Sequence, residues 1–156
     1  MIQAARYALV GVLVVALQIV FFSRLRIFGA SPDAVLLFVA WFGLQFGRRF
    51  GTTCGFILGL LLDFAFDTWG IHMLLKTTLG FVIGSFSGPD REIVSVLPRQ
   101  AFLGGLLVSI IHNGLLVAFL AIQAGAANNR MVGSLWIGSA VYTALLGLIA
   151  ALFARR

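Results

Sequence analysis

The sequence predicts an all-α, polytopic membrane protein with six transmembrane helices, and three observations support this fold class. Hydrophobic residues make up 61% of the 156 residues, charged residues only 10%, and the mean hydropathy is +1.07. A soluble domain carries about a quarter charged residues, and a soluble chain of this size could not hide so many apolar side chains. The apolar residues also form long runs separated by short polar connections. We therefore expect residues 1–156 to form a single integral membrane domain.

Each predicted helix corresponds to one apolar run. A helix needs about 20 apolar residues to cross the hydrocarbon core, and a shorter helix is accommodated where the bilayer thins. The run that follows Arg6 has no small-x-small cleavage site before Arg24, which indicates an uncleaved first helix. The predicted helices cover approximately residues 5–23, 33–47, 51–66, 70–87, 100–124 and 131–154.

The second helix is bounded by a proline and by a pair of arginines. Pro32 suits the first turn of a helix, with Ser31 as its N-cap. Arg48 and Arg49 separate the second helix from the third, because two adjacent arginines are costly at the centre of a bilayer and belong at its surface. The connections are short, so we expect consecutive helices to be antiparallel neighbours.

The distribution of Lys and Arg predicts that both termini are cytoplasmic. Lys76 is left out of the count because it falls within a helix. The inside then carries Arg6, Arg48, Arg49, Arg91, Arg99, Arg155 and Arg156, and the outside carries Arg24, Arg26 and Arg130. The net charge of +6 is thus explained by topology and by contact with anionic lipid at Arg48, Arg49, Arg91 and Arg99. We expect no nucleic-acid partner.

Small residues recur at intervals of four along the third and fourth helices. The series includes Gly51, Gly55 and Gly59 in the third helix and Gly80 and Gly84 in the fourth. Such spacing places small residues on one helix face and lets two backbones approach closely. The face could serve packing within one monomer or the docking of another membrane protein.

Four ionisable residues interrupt the apolar stretch that spans the third and fourth helices: Asp63, Asp67, His72 and Lys76. If the chain turns between Trp69 and Gly70, Asp63 and Lys76 lie at one depth, and Asp67 and His72 lie at another. We therefore expect an Asp63–Lys76 ion pair and an Asp67–His72 hydrogen bond to fasten the hairpin and to neutralise groups that are costly in a membrane.

Other interpretations of these four residues stay open. Asp67 could cap the fourth helix, and Lys76 could extend its ammonium group toward the membrane surface. A metal site formed by Asp63, Asp67 and His72 would have three ligands and neither a cysteine nor a second histidine. An intramembrane carboxylate could also serve a proton relay.

His112 and Asn113 lie next to each other inside the fifth helix and could line a cavity. They could equally form hydrogen bonds between helices, as could Gln18 in the first helix. Cys54, the single cysteine, suits a small buried hydrophobe. The chain has no phosphate-binding Gly-x-x-x-x-Gly-Lys, no His-Glu-x-x-His and no nucleophile–base arrangement, so we expect neither catalysis nor a cofactor.

The stretch from Gly47 to Gly84 resembles the rod shape-determining protein MreD family. The matching pattern is a glycine-rich helix that leads into Gly-Leu-Leu-x-Asp, a short loop, Gly-x-His and a second glycine-spaced helix. The matching residues are Gly55, Phe56, Gly59, Leu60, Leu61, Asp63, Gly70, His72 and Gly80. Chain length and six-helix organisation extend the resemblance over nearly the whole sequence.

The resemblance implies a non-catalytic scaffold or regulator in the bacterial cytoplasmic (inner) membrane. It would bind MreC and, through it, MreB filaments, RodA and the elongation-class penicillin-binding protein. Its role would be to control cell shape and lateral peptidoglycan synthesis.

That family is also similar in fold to the membrane substrate-binding subunits of energy-coupling-factor transporters. The alternative function is therefore a vitamin-binding transport subunit. An orphan channel or transporter with a water-lined path through His112 and Asn113 is a third possibility.

Overall fold

The computed structural model describes residues 2–88, 97–124 and 132–153, which form six α-helices with short connections. The only β-pairing in these ranges is an isolated bridge between Ile27 and Ala30, so the predicted all-helical class is confirmed. The helices are α1 Ile2–Leu17, α2 Ala34–Phe46, α3 Arg48–Phe66, α4 Ile71–Gly84, α5 Pro98–Ala124 and α6 Ser139–Phe153. Two π-helical turns adjoin them, Gln18–Phe22 after α1 and Ser134–Gly138 before α6.

Four helical segments are long and apolar enough to cross a membrane: Ala5–Phe22, Arg48–Phe66, Pro98–Ile122 and Ser134–Phe153. The other two helices are shorter, with 13 residues in α2 and 14 in α4. At a rise of about 1.5 Å per residue, these two extend only about 20 Å, less than the hydrocarbon core of roughly 30 Å. Of the six predicted spans, four therefore have spanning length.

The short helix α2 lies at the centre of the fold and contacts each of the other five helices. Its side chains Val35, Leu36 and Val39 are fully buried. Val35 and Val39 form a core cluster with Val15 of α1 and with Leu58 and Leu62 of α3. The polar N-terminal end of α2 is largely buried as well, since the Asp33 side chain is only 17% exposed.

The N-cap of helix α2 lies two residues later than the cap that the sequence suggested. Asp33, rather than Ser31, is the N-cap, and its Oδ1 accepts a hydrogen bond from Leu36 N at 2.8 Å. Pro32 therefore precedes the cap and is not in the first turn. The backbone N–H of Ser31 instead donates to Ser139 Oγ of α6 at 3.1 Å.

The connection between α2 and α3 is the single residue Gly47, with φ of +86°. Glycine adopts this conformation without the steric penalty that other residues suffer. Arg48 and Arg49, which we expected in the connection, instead form the first turn of α3. Both are exposed, as is Arg99 at the start of α5, whereas Arg91, Arg130, Arg155 and Arg156 lie outside the described residues. The cytoplasmic location of the termini thus stays a prediction.

Helices α3 and α4 form a hairpin in which the two backbones touch. A Cβ atom added at Gly51, Gly55, Gly59, Gly80 or Gly84 would lie under 3.0 Å from backbone atoms of the facing helix. These five glycines therefore serve packing within the monomer. The interpretation that they form a docking face for another protein is wrong, because α3 and α4 cover the face for each other.

Candidate functional site

A buried ion pair joins α4 to the beginning of α2. Lys76 is 0% exposed, and its Nζ donates to Asp33 Oδ2 at 2.6 Å. Pairing offsets part of the large cost of removing both charges from water. The predicted Asp63–Lys76 pair is therefore wrong, and Lys76 does not extend toward the surface. The carboxylate that pairs with Lys76 lies at the N-cap of α2, whereas the prediction considered only the α3–α4 hairpin.

Asp63 still fastens the hairpin, but it does so by capping the backbone of α4. Its carboxylate accepts hydrogen bonds from His72 N at 3.0 Å, Met73 N at 2.8 Å and Thr68 Oγ1 at 2.6 Å. The residue that precedes α4 is Gly70, which has no side chain to supply a cap. Asp63 of α3 takes over this role, since the first N–H groups of a helix have no partners within it and favour a negative charge.

Asp67 ends α3 and does not pair with His72. It adopts a left-handed conformation with φ of +56°, and its N–H donates to the backbone oxygen of Asp63. Its side chain is exposed. The predicted Asp67–His72 hydrogen bond is therefore absent, and Asp67 caps neither end of α4. Among the described residues, no group of three His, Cys, Asp or Glu side chains could hold a metal ion, so the three-ligand interpretation is wrong as well.

The hydrogen bonds of His112 fix the position of its proton. Nε2 of His112 lies 3.4 Å from Lys76 Nζ, and Nδ1 lies 3.1 Å from Asn113 Oδ1. An ammonium group can only donate, so Nε2 accepts, and the proton sits on Nδ1 and is donated to Asn113. Asn113 Nδ2 in turn donates to the backbone oxygen of Trp136 at 3.4 Å. A directed series of hydrogen bonds thus runs from Lys76 in α4 through α5 to the π-helical turn before α6.

Neighbouring elements hold the chain around Asp33 in place through their polar side chains. Gln18 Nε2 donates to the backbone oxygen of Pro32 at 2.9 Å, and Gln18 Oε1 accepts from Ala34 N at 2.8 Å. The N–H of Asp33 donates to Thr143 Oγ1 at 3.0 Å. These contacts satisfy backbone groups that an apolar environment would leave unpaired at high cost. They also position the Asp33 carboxylate for Lys76.

A partly open cavity of about 330 Å³ borders the polar side chains around Asp33. It is enclosed by the π-helical turn after α1, by the connections that precede α2 and α4, which carry Arg26 and Thr68, and by α3, α5 and α6. Its polar lining includes Gln18, Arg26, Asp33, His72, His112 and Asn113, and its apolar lining includes Leu62, Phe66, Leu116 and Leu135. Both His112 and Asn113, the candidate cavity residues, line this space.

Three aromatic rings follow one another along the lining. The centroid of the His72 ring lies 6.0 Å from that of Phe66 and 6.5 Å from that of His112, and the two imidazole rings are inclined by only 20°. Nδ1 of His72 is buried and has no hydrogen-bond partner among the described residues. The unpaired nitrogen is thus enclosed by protein, although other atoms of the His72 side chain line the cavity.

Asp33 is the residue of this site that the sequence analysis missed. Its signal was an acidic residue directly before an apolar run, which is typical of a helix N-cap. Comparison of the chain with protein-family models, with curated proteins and with solved structures finds no match.

Proposed function

We propose that this protein is a non-catalytic scaffold or regulator of the bacterial elongation machinery that acts by binding MreC. The observation that carries the proposal is the hydrogen bond from His72 N to Asp63 Oδ1. In this bond, the aspartate of the Gly-Leu-Leu-x-Asp motif accepts a hydrogen bond from the backbone N–H of the histidine of the Gly-x-His motif. That histidine lies in the first turn of α4. The pattern by which the chain resembles the MreD family thus describes one structural unit, the α3–α4 hairpin.

The glycines of the pattern belong to the same unit. Gly55 faces Lys76 and Thr77, and Gly59 faces His72 and Met73. Direct backbone contact of this kind makes a hairpin rigid, because neither helix can shift without a clash. A rigid hairpin beside the central helix α2 suits a scaffold, which must present a fixed shape to its partners.

The surface that binds MreC must lie away from the glycines, since α3 and α4 cover them. Helices α1 and α5 expose large apolar side chains, including Leu9, Leu13 and Leu107. In a membrane these faces contact either lipid or the transmembrane segment of a partner. We propose that MreC binds there and connects this protein to RodA, to the elongation-class penicillin-binding protein and, indirectly, to MreB filaments.

The proposed location is the bacterial cytoplasmic (inner) membrane, with both termini in the cytoplasm. The connection that carries Asp67 and the mouth of the cavity would then face outward. Arg48, Arg49 and Arg99 would face the cytoplasm, where anionic lipid attracts basic side chains.

The test is purification of the tagged chain in mild detergent from its native bacterium, followed by identification of the proteins that remain bound. An unrelated polytopic membrane protein with the same tag is the control. The proposal predicts recovery of MreC with the chain but not with the control, and rounding of rod-shaped cells on depletion. Recovery of a transporter ATPase module with a bound vitamin, and no MreC, would instead show a substrate-binding transport subunit and overturn the proposal.

A further inference from the structure

We propose that the connections before α2 and α4 bind an anionic phospholipid, with its phosphate at Arg24 and Arg26. Its acyl chains would lie beside Phe28 and Trp69, and we call these four residues the lipid-binding surface. The proposal goes beyond the scaffold function and does not depend on it. The backbone conformation of the two aromatic residues, their exposure and the charge of the connections each contribute to it.

Phe28 occupies the tip of a two-residue turn, in a conformation that a bulky side chain seldom adopts. The N–H of Ile27 donates to the backbone oxygen of Ala30 at 3.0 Å, and the N–H of Ala30 donates back at 3.0 Å. The central residues Phe28 and Gly29 have φ of +51° and +88°. Two positive φ angles are typical of a type I′ turn, which strongly favours Asn-Gly. Phe28 is therefore strained, yet it is 96% exposed, so no packing within the described residues compensates for the strain.

The turn is fastened to the beginning of α6, so the exposure of Phe28 is not that of a loose loop. Ala30 is buried, and a Cβ atom added at Gly138 would lie 3.0 Å from the Cβ of Ala30. The N–H of Ser31 donates to Ser139 Oγ at 3.1 Å. The fold thus holds a strained aromatic residue outward at a fixed position, and strain of this kind is concentrated at functional sites.

Trp69 repeats both features on the neighbouring connection. It has φ of +38° and is 90% exposed. Among the described residues, positive φ occurs outside glycine only at Phe28, Asp67 and Trp69. Two of these three are exposed aromatic residues, and their connections border the same cavity through Arg26 and Thr68. Phe28 and Trp69 therefore belong to the same membrane surface.

The depth of this surface identifies lipid as the environment of the two rings. Arg24 follows the apolar segment Ala5–Phe22 after one intervening residue, and Trp69 follows Arg48–Phe66 after two. Such positions lie at the level of the lipid headgroups, where tryptophan is enriched. The connection that carries Trp69 spans only residues 67–70, which is too short to extend far beyond the headgroups.

The charge of the connections selects an anionic lipid. Arg24 and Arg26 are exposed and have no ion-pair partner among the described residues. Asp67 is the single exposed acidic residue of the two connections, so positive charge remains in excess. A guanidinium group binds phosphate through paired hydrogen bonds, and basic residues near a membrane attract its anionic lipids. We therefore expect phosphatidylglycerol to be preferred over the zwitterionic phosphatidylcholine.

Tryptophan fluorescence can measure the lipid contact. The full chain is reconstituted into phosphatidylcholine vesicles in which a minor fraction of lipid, either phosphatidylglycerol or phosphatidylcholine, carries quenching bromine atoms on its acyl chains. The difference between the unaltered chain and Trp69→Phe isolates the emission of Trp69, and Phe28→Trp adds a reporter at the turn. We expect both reporters to be quenched. Brominated phosphatidylglycerol should act at about a fivefold lower fraction than brominated phosphatidylcholine, as expected for one basic residue near an anionic lipid.

A double variant assigns the headgroup contact. Arg24→Gln combined with Arg26→Gln should abolish the preference for phosphatidylglycerol that Trp69 reports. The matched control combines Arg48→Gln with Arg49→Gln. These two arginines are also exposed, but they lie at the opposite membrane surface, so the control should leave the preference at Trp69 unchanged.

Phe28→Asn separates a lipid contact from a role in folding. Asparagine tolerates positive φ, so in detergent without lipid the variant should unfold at the same temperature as the unaltered chain or higher. Added phosphatidylglycerol should raise the unfolding temperature of the unaltered chain, since a ligand that binds the native state stabilises it. Phe28→Asn should reduce this rise. Phe86→Asn, which removes an exposed aromatic residue without positive φ at the opposite membrane surface, should not reduce it.

Several results would overturn the proposal. If neither Trp69 nor the reporter of Phe28→Trp is quenched, water or a protein partner covers the surface instead of lipid. Equal quenching by the two brominated lipids would contradict the proposal, as would a preference that survives the loss of both Arg24 and Arg26. So would a lower unfolding temperature of Phe28→Asn in detergent, because Phe28 would then support the fold.

The test is independent of the scaffold function. A gel-filtration profile unchanged from that of the unaltered chain shows that each variant is folded. Failure of the lipid measurements would leave the recovery of MreC unaffected, and failure to recover MreC would leave the lipid measurements unaffected.

Discussion

The ammonium group of Lys76 lies 2.6 Å from the carboxylate of Asp33, 43 positions earlier in the chain. This contact joins the middle of α4 to the N-terminus of α2, and the same carboxylate caps α2 through Leu36 N. One acidic side chain thus neutralises a buried cation and begins the central helix. We regard this pair as the structural centre of the molecule.

Removal of Lys76 alone should be strongly destabilising. Lys76→Met leaves the Asp33 carboxylate without its counter-charge in a largely buried position. Loss of one partner of a buried ion pair lowers the free energy of unfolding by about 3–5 kcal/mol. Denaturant unfolding of the purified chain in detergent measures the change. Arg24→Met, which removes an exposed cation, is the matched control and should change stability by less than about 0.5 kcal/mol. Equal effects of the two variants on the free energy of unfolding would mean that the ion pair contributes nothing to stability.

Asp63 should be important for stability and Asp67 should not. Asp63→Leu leaves the backbone N–H groups of His72 and Met73 without their acceptor. Each unsatisfied buried donor costs about 1–3 kcal/mol, so the two together should lower the free energy of unfolding by about 2–6 kcal/mol. Asp63→Asn should recover part of it, because its amide oxygen can still accept.

The matched control for Asp63 is Asp67→Asn, four residues further along the chain, at the C-cap of the same helix. Asp67 is exposed and left-handed, and asparagine tolerates that conformation well. We expect a change of less than about 0.5 kcal/mol. A larger loss for Asp67→Asn than for Asp63→Leu would show that the capping role is assigned to the wrong aspartate.

The glycine contact can be tested by adding one methyl group. At Gly55 a Cβ would collide with the backbone of Lys76 and Thr77, whereas at Gly104 in α5 it would meet nothing within 4 Å. Gly55→Ala should therefore destabilise the purified chain, and Gly104→Ala should be neutral or should stabilise it by up to about 1 kcal/mol through its better helix propensity. Thermal unfolding in detergent measures both. If Gly55 instead lay on a face that docks a partner, Gly55→Ala would leave the stability of the chain unchanged and would abolish partner binding.

The helices could be predicted from the sequence because each one follows an apolar run bounded by polar residues, Gly or Pro. Their ends were less predictable. Arg48 and Arg49 were assigned to a connection because they are costly inside a membrane, but one glycine, Gly47, suffices for the turn. That allows both arginines to enter α3 while staying exposed at its end.

The polar contacts were harder to predict, because a hairpin argument considers only two helices. It correctly brought the backbones of α3 and α4 together, but it had no means to include Asp33, which reaches Lys76 from α2. The cap of α4 was missed for a related reason. Asp63 acts on the backbone of α4, and sequence spacing between charged side chains says nothing about backbone groups. His112 and Asn113 were recognisable, since polar residues inside an apolar helix indicate either hydrogen bonds or a cavity, and here both occur.

The most direct test of this account compares two double-mutant cycles that share Lys76→Met. One cycle combines it with Asp33→Asn, which retains a capping oxygen, and the other combines it with Asp63→Asn. Residues in direct contact show interaction energies of about 0.5–3 kcal/mol, and independent residues add within about 0.5 kcal/mol. The structure predicts a coupling above 1 kcal/mol, on the order given for buried ion pairs, between Lys76 and Asp33, with near-additive effects for Lys76 and Asp63. Strong coupling of Lys76 with Asp63, together with additivity for Asp33, would contradict the account.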